Sequence, residues 1–571
     1  MRGMCTLMGG LIQVLQHSFV KGIYNVLKSW IWIKHLPEAL DFVGKERQVV
    51  RSAALFTLGI FNILLSLLPP AMISTATFLS GFTGDRQQGL GMLHKCWKDE
   101  GMLSPWAALV WAAYHVDTKT FIGERQTPKD FQECKEIFDW ARDRYAHSVF
   151  FSGIEADYYA CQKQVRKGVE ITESAAQFVG DLKALEWALH YKRGVYQLTD
   201  LQFAKSGRSF EASIEVYVKV GRRSMVPFMA MYAALCYLVV ADQKGRQELV
   251  DDDISVVEDD DQHEMDAAAA AAHAEEMLAL VRKYEALDKK NWGRQDQWAF
   301  KVAHSYDMHS LLNDCQVPAW PLLDLVDSMI LRMRCTRWMD DTQAADLLEL
   351  MKSEHGERVD NVDEEIRLCA YFSEILLERE QHQAALEWCD KGLLLKDDIS
   401  SRGAKEGFAP LLLYLKALNM YQRGHHLTAN YCLKTLESFG KDYWIYNYVV
   451  FKSSILKKQV ATAMEEGYFE NAVIPAGESK KLVFEVSTQG TAVDWDWTCM
   501  NHDISYSVFF RDIDGETSLV QSGQRRDSSE GPLAGFYLTP DGGHMIFEFD
   551  NKYSMWRSKD IVYRISLAKI E

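Results

Sequence analysis

The feature that most constrains this chain is a change of hydrophobic period near residue 465. Up to about Lys458 the apolar residues recur at helical spacing, in segments such as SPWAALVWAAYHV (104–116), KDFQECKEIFDWARDRY (129–145), SFEASIEVYVKV (209–220) and SMVPFMAMYAALCYLVVA (224–241). From Glu470 the period drops to two: Leu482, Phe484 and Val486 alternate with polar neighbours, as do Trp495 and Trp497, then Ile504, Tyr506 and Val508. A 3.6-residue stripe and a two-residue alternation bury their apolar faces in different ways, so each block requires its own element type. The expected fold is therefore multidomain, an all-α array followed by an all-β sandwich of five or more short strands.

Paired helices repeated along a chain are the signature of an α-solenoid. The clearest unit is EIRLCAYFSEILLEREQHQAALEWCDKGLLL (365–395), where Ala385 and Gly392 allow close helix approach and Leu376, Leu386 and Leu393 are expected in the seam. A second unit, APLLLYLKALNMYQRGHHLTANYCLKTLESF (409–439), has Ala417 and Ala429 in comparable places, and QLTDLQFAKSGRSFEASIEVYVKV (197–220) is a third. This is a degenerate tetratricopeptide pattern. Ala385 and Ala429 lie 44 residues apart rather than 34, an excess assigned to the loop KDDISSRGAKEG. The expected divisions are helical repeats over 1–248, an acidic insertion over 249–266, further helical repeats over 267–462, and the sandwich over 470–571.

With a net charge of −17 the chain is a poor general binder of phosphate backbones, and no nucleic-acid partner is expected. Asp251, Asp252, Asp253, Glu258, Asp259, Asp260, Asp261, Glu264 and Asp266 contribute to that charge from one run, DDDISVVEDDDQHEMD, which reads as a solvated loop. Its spacing does not match a calcium loop. The polyalanine that follows is a strong helix former. Eleven cysteines without a CxxC pair, Cys236, Cys369 and Cys432 among them, read as small buried hydrophobes of a reduced cytosolic protein. His425 and His426 lack further ligands at metal spacing, so no metal is expected. The apolar stretch 53–82 offers Ala53–Leu68 as a helix of about 24 Å before Pro69 and Pro70 break it, short of the roughly 30 Å of a bilayer core. It reads as two packed helices, with no transmembrane span and no signal peptide expected.

HSFVKGIYNVLKSW (17–30), GIFNILLSLLPP (59–70), GFTGDRQQGLGML (81–93) and SPW (104–106) resemble the tetratricopeptide-repeat-protein-39 and inclusion-body-clearance family of cytosolic helical-repeat proteins. The resemblance continues weakly through 141–240 and 316–455. It implies no catalytic residues and a role near lipid handling and aggregate clearance. The resemblance implies a further amino-terminal stretch ahead of the residues matched here, and the acidic insertion is not typical of the family. The glycine-rich piece with Gly81, Gly84, Asp85, Arg86 and Gly89 lacks GKS or GKT and a preceding strand; it is expected to join two helices, Asp85 capping the second.

EFDNKYSMWRSK (548–559) resembles the end of the GOLD (Golgi dynamics) sandwich, whose F-D-N-x-Y-S-x-W-x-x-K signature falls here on Phe549, Asp550, Asn551, Tyr553, Ser554, Trp556 and Lys559. Trp495, Asp496, Trp497, Asp503, Ile504, Gly535, Phe536 and Tyr537 match in order. Trp495, Trp497, Asp503 and the seven signature residues form the candidate site. Its expected role is mainly structural, with Tyr553 and Trp556 beneath the turn. Lys552, Arg557 and Lys559 are the alternative, a basic rim for a partner or a lipid headgroup. No nucleophile elbow, HExxH or phosphate loop occurs, so no catalysis and no cofactor are expected. The functional expectation is a cytoplasmic adaptor that binds proteins or peptides in a helical groove and meets a protein or lipid surface through GOLD, in vesicle trafficking at Golgi or endosomal membranes or in lipid homeostasis. The alternative is a lipid-binding or lipid-transfer protein.

Overall fold

The structure is a computed structural model that describes residues 2–15, 19–67, 84–122, 124–250, 265–287, 292–311, 320–358, 361–467 and 469–569. The acidic run from 251 to 264, Gly81 and residues 68–83 of the apolar stretch lie outside the described residues. The chain divides into two compact units, Met1–Asp360 and Asn361–Glu571.

Among its described residues the first unit holds helices joined by turns and loops, and no strand. Its longer helices are α1 (Arg2–Leu15), α2 (Phe19–Ile33), α3 (Arg47–Ser66), α4 (Arg86–Lys98), α5 (Ser104–Ala113), α6 (Pro128–Arg144), α7 (Val149–Cys161), α8 (Val165–Ala176), α9 (Glu186–Thr199), α10 (Phe203–Lys219), α11 (Val226–Val250), α12 (Ala267–Leu287), α13 (Arg294–Leu311), α14 (Pro321–Asp327) and α15 (Asp341–Arg358). Chain neighbours pack as pairs, α1 on α2, α3 on α4, α7 on α8, α9 on α10 and α11 on α12. Asp85 caps α4 as expected, accepting from the Gln88 amide at 2.9 Å. The polyalanine run opens α12, with Ala270, Ala274 and Met277 buried along one face.

Close approach of α3 and α4 depends on two glycines. A Cβ on Gly89 would stand 2.8 Å from the Gly59 carbonyl, and one on Gly59 would stand 2.9 Å from Leu93 Cγ. Helices α3 and α11 are long and apolar enough to cross a membrane, yet most of each apolar window is buried within the protein. Two π-helical turns, Tyr114–Thr118 and Ser328–Met333, are tied across the unit. Arg334, just beyond the second turn, lies 3.5 Å from Asp117 in the first, and Arg337 pairs with the same carboxylate.

The second unit holds helices α16 (Val362–Glu378), α17 (His382–Leu394), α18 (Phe408–Gln422), α19 (His426–Leu436) and α20 (Tyr446–Glu466), followed by eight strands. Small residues sit where the repeat pattern requires them: Ala385, Ala417 and Ala429 are buried, and a Cβ on Gly392 would stand 2.8 Å from Cys369 Cβ. Leu386 and Leu393 are only half-buried, whereas Cys369, Phe372, Ile375 and Cys389 are buried, so the seam is narrower than the leucine spacing implies. The segment read as a loop contains a short helix, Ser401–Glu406, capped by Ser400 and ended by Gly407 at φ +92°.

The strands are β1 (Glu470–Ile474), β2 (Ser479–Val486), β3 (Thr491–Cys499), β4 (Asp503–Asp512), β5 (Thr517–Asp527), β6 (Leu533–Leu538), β7 (Gly543–Asp550) and β8 (Lys559–Lys569). They form two antiparallel sheets, β1-β8-β3-β6 and β2-β7-β4-β5. Trp495, Trp497, Ile504, Tyr506, Val508, Phe547 and Phe549 meet between them, with Trp497 edge-on to Phe549 at 5.1 Å. A Cβ on Gly535 would stand 2.1 Å from the Trp495 indole, so β6 needs a bare backbone opposite that ring. The inward–outward alternation of β8 fades at its far end, Leu567 being exposed.

Strand β3 is buried on both faces, because its outer face meets α19. Asp496, 1% exposed on that outer face, accepts from the Leu427 amide at 2.7 Å, the Thr428 amide at 3.4 Å and the Thr428 hydroxyl at 2.8 Å. These amides belong to the first turn of α19, whose N–H groups have no partner within the helix. A carboxylate is a favourable acceptor there, both for the hydrogen bonds and for the positive end of the helix dipole. Burial pushes the Asp496 carboxyl up, opposed by the Thr428 hydroxyl and the two amides. Arg564 of β8 donates to the Gly424 carbonyl just before the same helix.

Replacing Gly89 with Leu is expected to cost about 1–3 kcal/mol by forcing α3 and α4 apart, read as a lower urea midpoint. Asp496→Ala, which strands the α19 amides in a buried joint, is expected to cost about 1–3 kcal/mol, with Asp496→Asn costing less because it retains an acceptor. Equal losses in the two variants would count against the cap.

Candidate functional site

The turn from β7 to β8 is built outward from Asn551, which is fully buried. Its side-chain amide donates to the carbonyls of Ile474 at 3.2 Å, Pro475 at 3.0 Å and Arg557 at 2.8 Å. Its backbone amide donates to the Glu478 carbonyl at 2.9 Å. One side chain thereby ties the β1–β2 connection to both ends of the turn. Asp550 accepts from the Lys552 amide at 2.7 Å, the local bond that suits Asp to turns. Ser554 closes the turn, its hydroxyl donating to the Arg557 carbonyl at 3.1 Å.

A second network anchors the base. Lys559 is only 2% exposed, and its ammonium lies 3.1 Å from Asp503. Arg525 pairs with the same carboxylate and stacks over the Tyr553 ring at 4.1 Å. The Tyr553 hydroxyl donates to the Asp503 carbonyl at 2.7 Å. Burial alone would raise the Asp503 pKa; Arg525 and Lys559 outweigh it and hold the carboxyl at about 2.

Lys559 is buried against Asp503, in keeping with a structural role, which removes it from the alternative basic rim. One expectation changes here. Trp556 does not pack beneath the turn: it is 89% exposed, beside Met555 at 81%. Tyr553 covers the base only in part, its edge remaining in solvent. The pinned turn thus presents Met555 and Trp556 outward, with Lys552 and Arg557 exposed in the same loop and Arg557 3.4 Å from His502. Phe549, Trp495 and Trp497 serve the core beneath.

Sequence reasoning passed over Met555, since an apolar residue at a variable signature position carries no signal of exposure. It also placed no contact on Asp496; the only hint was a carboxylate between two core tryptophans. A concavity of about 300 Å³ lies between the start of α19, the link after α20 and the sandwich, lined by His426, Gly467, Glu470, Phe484, Tyr563, Arg564 and Ile565. Tyr563 is tied to Glu470 at its wall. Cys236 and Cys369 are pushed by burial to about 12 and Cys432 to about 11, which makes them poor nucleophiles. Among the described residues no cluster of His, Cys, Asp and Glu is arranged to hold a metal.

The family model Iml2/Tetratricopeptide repeat protein 39 matches residues 2–321. The Golgi resident protein GCP60 of Homo sapiens is 26% identical over 133 residues, which covers 17% of this chain and 25% of that protein. The chain therefore spans a quarter of that relative's length. Among solved structures, the APC/C hetero-tetramer Cut9-Hcn1 is 10% identical with a TM-score of 0.22, covering 80% of this chain and 75% of that one. The P58(IPK) TPR domain is 11% identical with a TM-score of 0.18, covering 80% and 99%. A TPR-type family of this kind is typically a non-catalytic protein-interaction scaffold.

Because the folded Asp503 carboxyl lies below its ordinary 3.8, its stabilising contribution is full above about pH 4 and lost as pH falls through about 2. Asp503→Asn is expected to lower the denaturant midpoint at neutral pH and to converge on the wild type near pH 2. A difference that stays constant across that window would remove the ion-pair account.

Proposed function

The chain belongs to the Iml2/Tetratricopeptide repeat protein 39 family, and on that premise we propose that it is a non-catalytic adaptor acting at a membrane surface. The helical repeats before residue 462 hold a protein or peptide ligand, and the GOLD-type sandwich of residues 470–571 presents its β7–β8 turn to the bilayer. The observation that carries this reading is the exposure of Met555 and Trp556 on a turn pinned by a buried Asn551. Apolar side chains held rigidly in water are an interaction surface, and tryptophan favours the headgroup region because its ring is both apolar and polar. Lys552 and Arg557 beside them suit an anionic leaflet.

The similarity to a Golgi resident protein supports the cytosolic face of Golgi or endosomal membranes, and with it a part in trafficking or lipid homeostasis. The alternative, lipid transfer through the apolar 53–82 stretch, draws no support from α3, whose residues from Ala54 to Ile63 are buried in helix packing.

The test is flotation of the full chain with vesicles containing phosphatidylserine. Met555→Ser with Trp556→Ser is expected to reduce the bound fraction several-fold without lowering the melting temperature. Point variants are preferable to deleting the sandwich, because removing β3 would uncover α19. Undiminished binding by the double variant would reject the sandwich as the membrane element.

A further inference from the structure

Helix α2 has two faces of opposite character. Gly22, Val26, Ser29 and Ile33 recur at helical spacing and are buried. A Cβ on Gly10 of α1 would stand 2.8 Å from the Gly22 carbonyl and 2.9 Å from Val26, so this face is closed against α1. Trp30 stacks on Phe61 of α3 at 5.3 Å. Tyr24, Lys28 and Ile31 follow one another along the opposite face, at 62% exposure for Tyr24 and 56% for Ile31. Trp32 adds a further 46%-exposed aromatic, and Lys34 is exposed one residue past the helix.

Charge selects the occupant. Residues 1–37 contain Arg2, Lys21, Lys28 and Lys34 and no Asp or Glu, in a chain whose overall charge is −17. A second copy of the chain would bring this basic face against its own like charge, which is unfavourable. Aromatic and aliphatic side chains interspersed with lysines, whose stems lie along apolar surface while their ammonium groups reach outward, suit the boundary between acyl chains and anionic headgroups. We propose that the Tyr24–Lys28–Ile31–Trp32–Lys34 face of α2 docks the protein on an anionic phospholipid bilayer, lying in the plane of the interface. This contact is independent of the sandwich turn.

The experiment uses the full chain carrying Met555→Ser and Trp556→Ser, so that the sandwich turn is silent, and phosphatidylcholine vesicles with and without phosphatidylserine. Binding is expected to need phosphatidylserine and to weaken with added salt. Lys28→Glu with Lys34→Glu is expected to lower it at least about tenfold. Ile31→Ser, made separately, is expected to weaken it several-fold with the melting temperature unchanged. Binding that is absent, indifferent to phosphatidylserine, or untouched by the lysine reversals overturns the proposal. So does a concentration-dependent dimer, seen by sedimentation, that Ile31→Ser abolishes. If only the Met555 and Trp556 changes reduce binding of the otherwise unaltered chain, the α2 contact falls and the sandwich reading stands.

Discussion

The second unit depends on one buried carboxylate. Asp496 leaves the outer face of β3 and enters the first turn of α19, where it satisfies two backbone amides and a hydroxyl that would otherwise be enclosed without partners. An unsatisfied amide in such a place costs more than an ordinary hydrogen bond returns, so the joint favours one mutual arrangement of helix and sheet. Arg564 repeats the logic one strand away at the Gly424 carbonyl. The helical repeats and the sandwich are distinct in element type, yet here they share a polar joint within one compact unit. Motion of the sandwich as a body relative to α19 would have to break that joint.

The element types were legible because period and burial agree. Alternation placed Trp495 and Trp497 in the core, and small residues at Ala385, Ala417 and Ala429 marked buried helix positions. Strand β5, with TSLVQSGQRRD, was not legible: it lacks apolar alternation and carries a register irregularity opposite Tyr506 and Val508. Pairing with β4, a tertiary event, makes it a strand. The π-helical turn holding Asp117 likewise meets Arg337 from more than two hundred residues along the chain, a contact no local window contains.

The candidate site was legible as a set of residues but not as a surface. Asn551 of the signature closes the turn, and Asp503 of β4 anchors its base. The signature does not say which side chains face out. Residue type alone leaves Lys559 open to a structural role or a place in a basic rim; pairing with Asp503 makes its burial tolerable and decides for the first. The expected packing of Trp556 beneath the turn gives way to exposure, the Asn551 and Ser554 side chains holding the loop path through the Arg557 carbonyl.

That scaffold has a consequence for how such a turn can change over evolutionary time. The bonds that fix its path run from Asn551 and Ser554 to backbone atoms, and none involves the side chains at 555 and 556. Position 555, variable in the signature, can therefore be exchanged like a bit in a chuck, altering the apex while the holder stays the same.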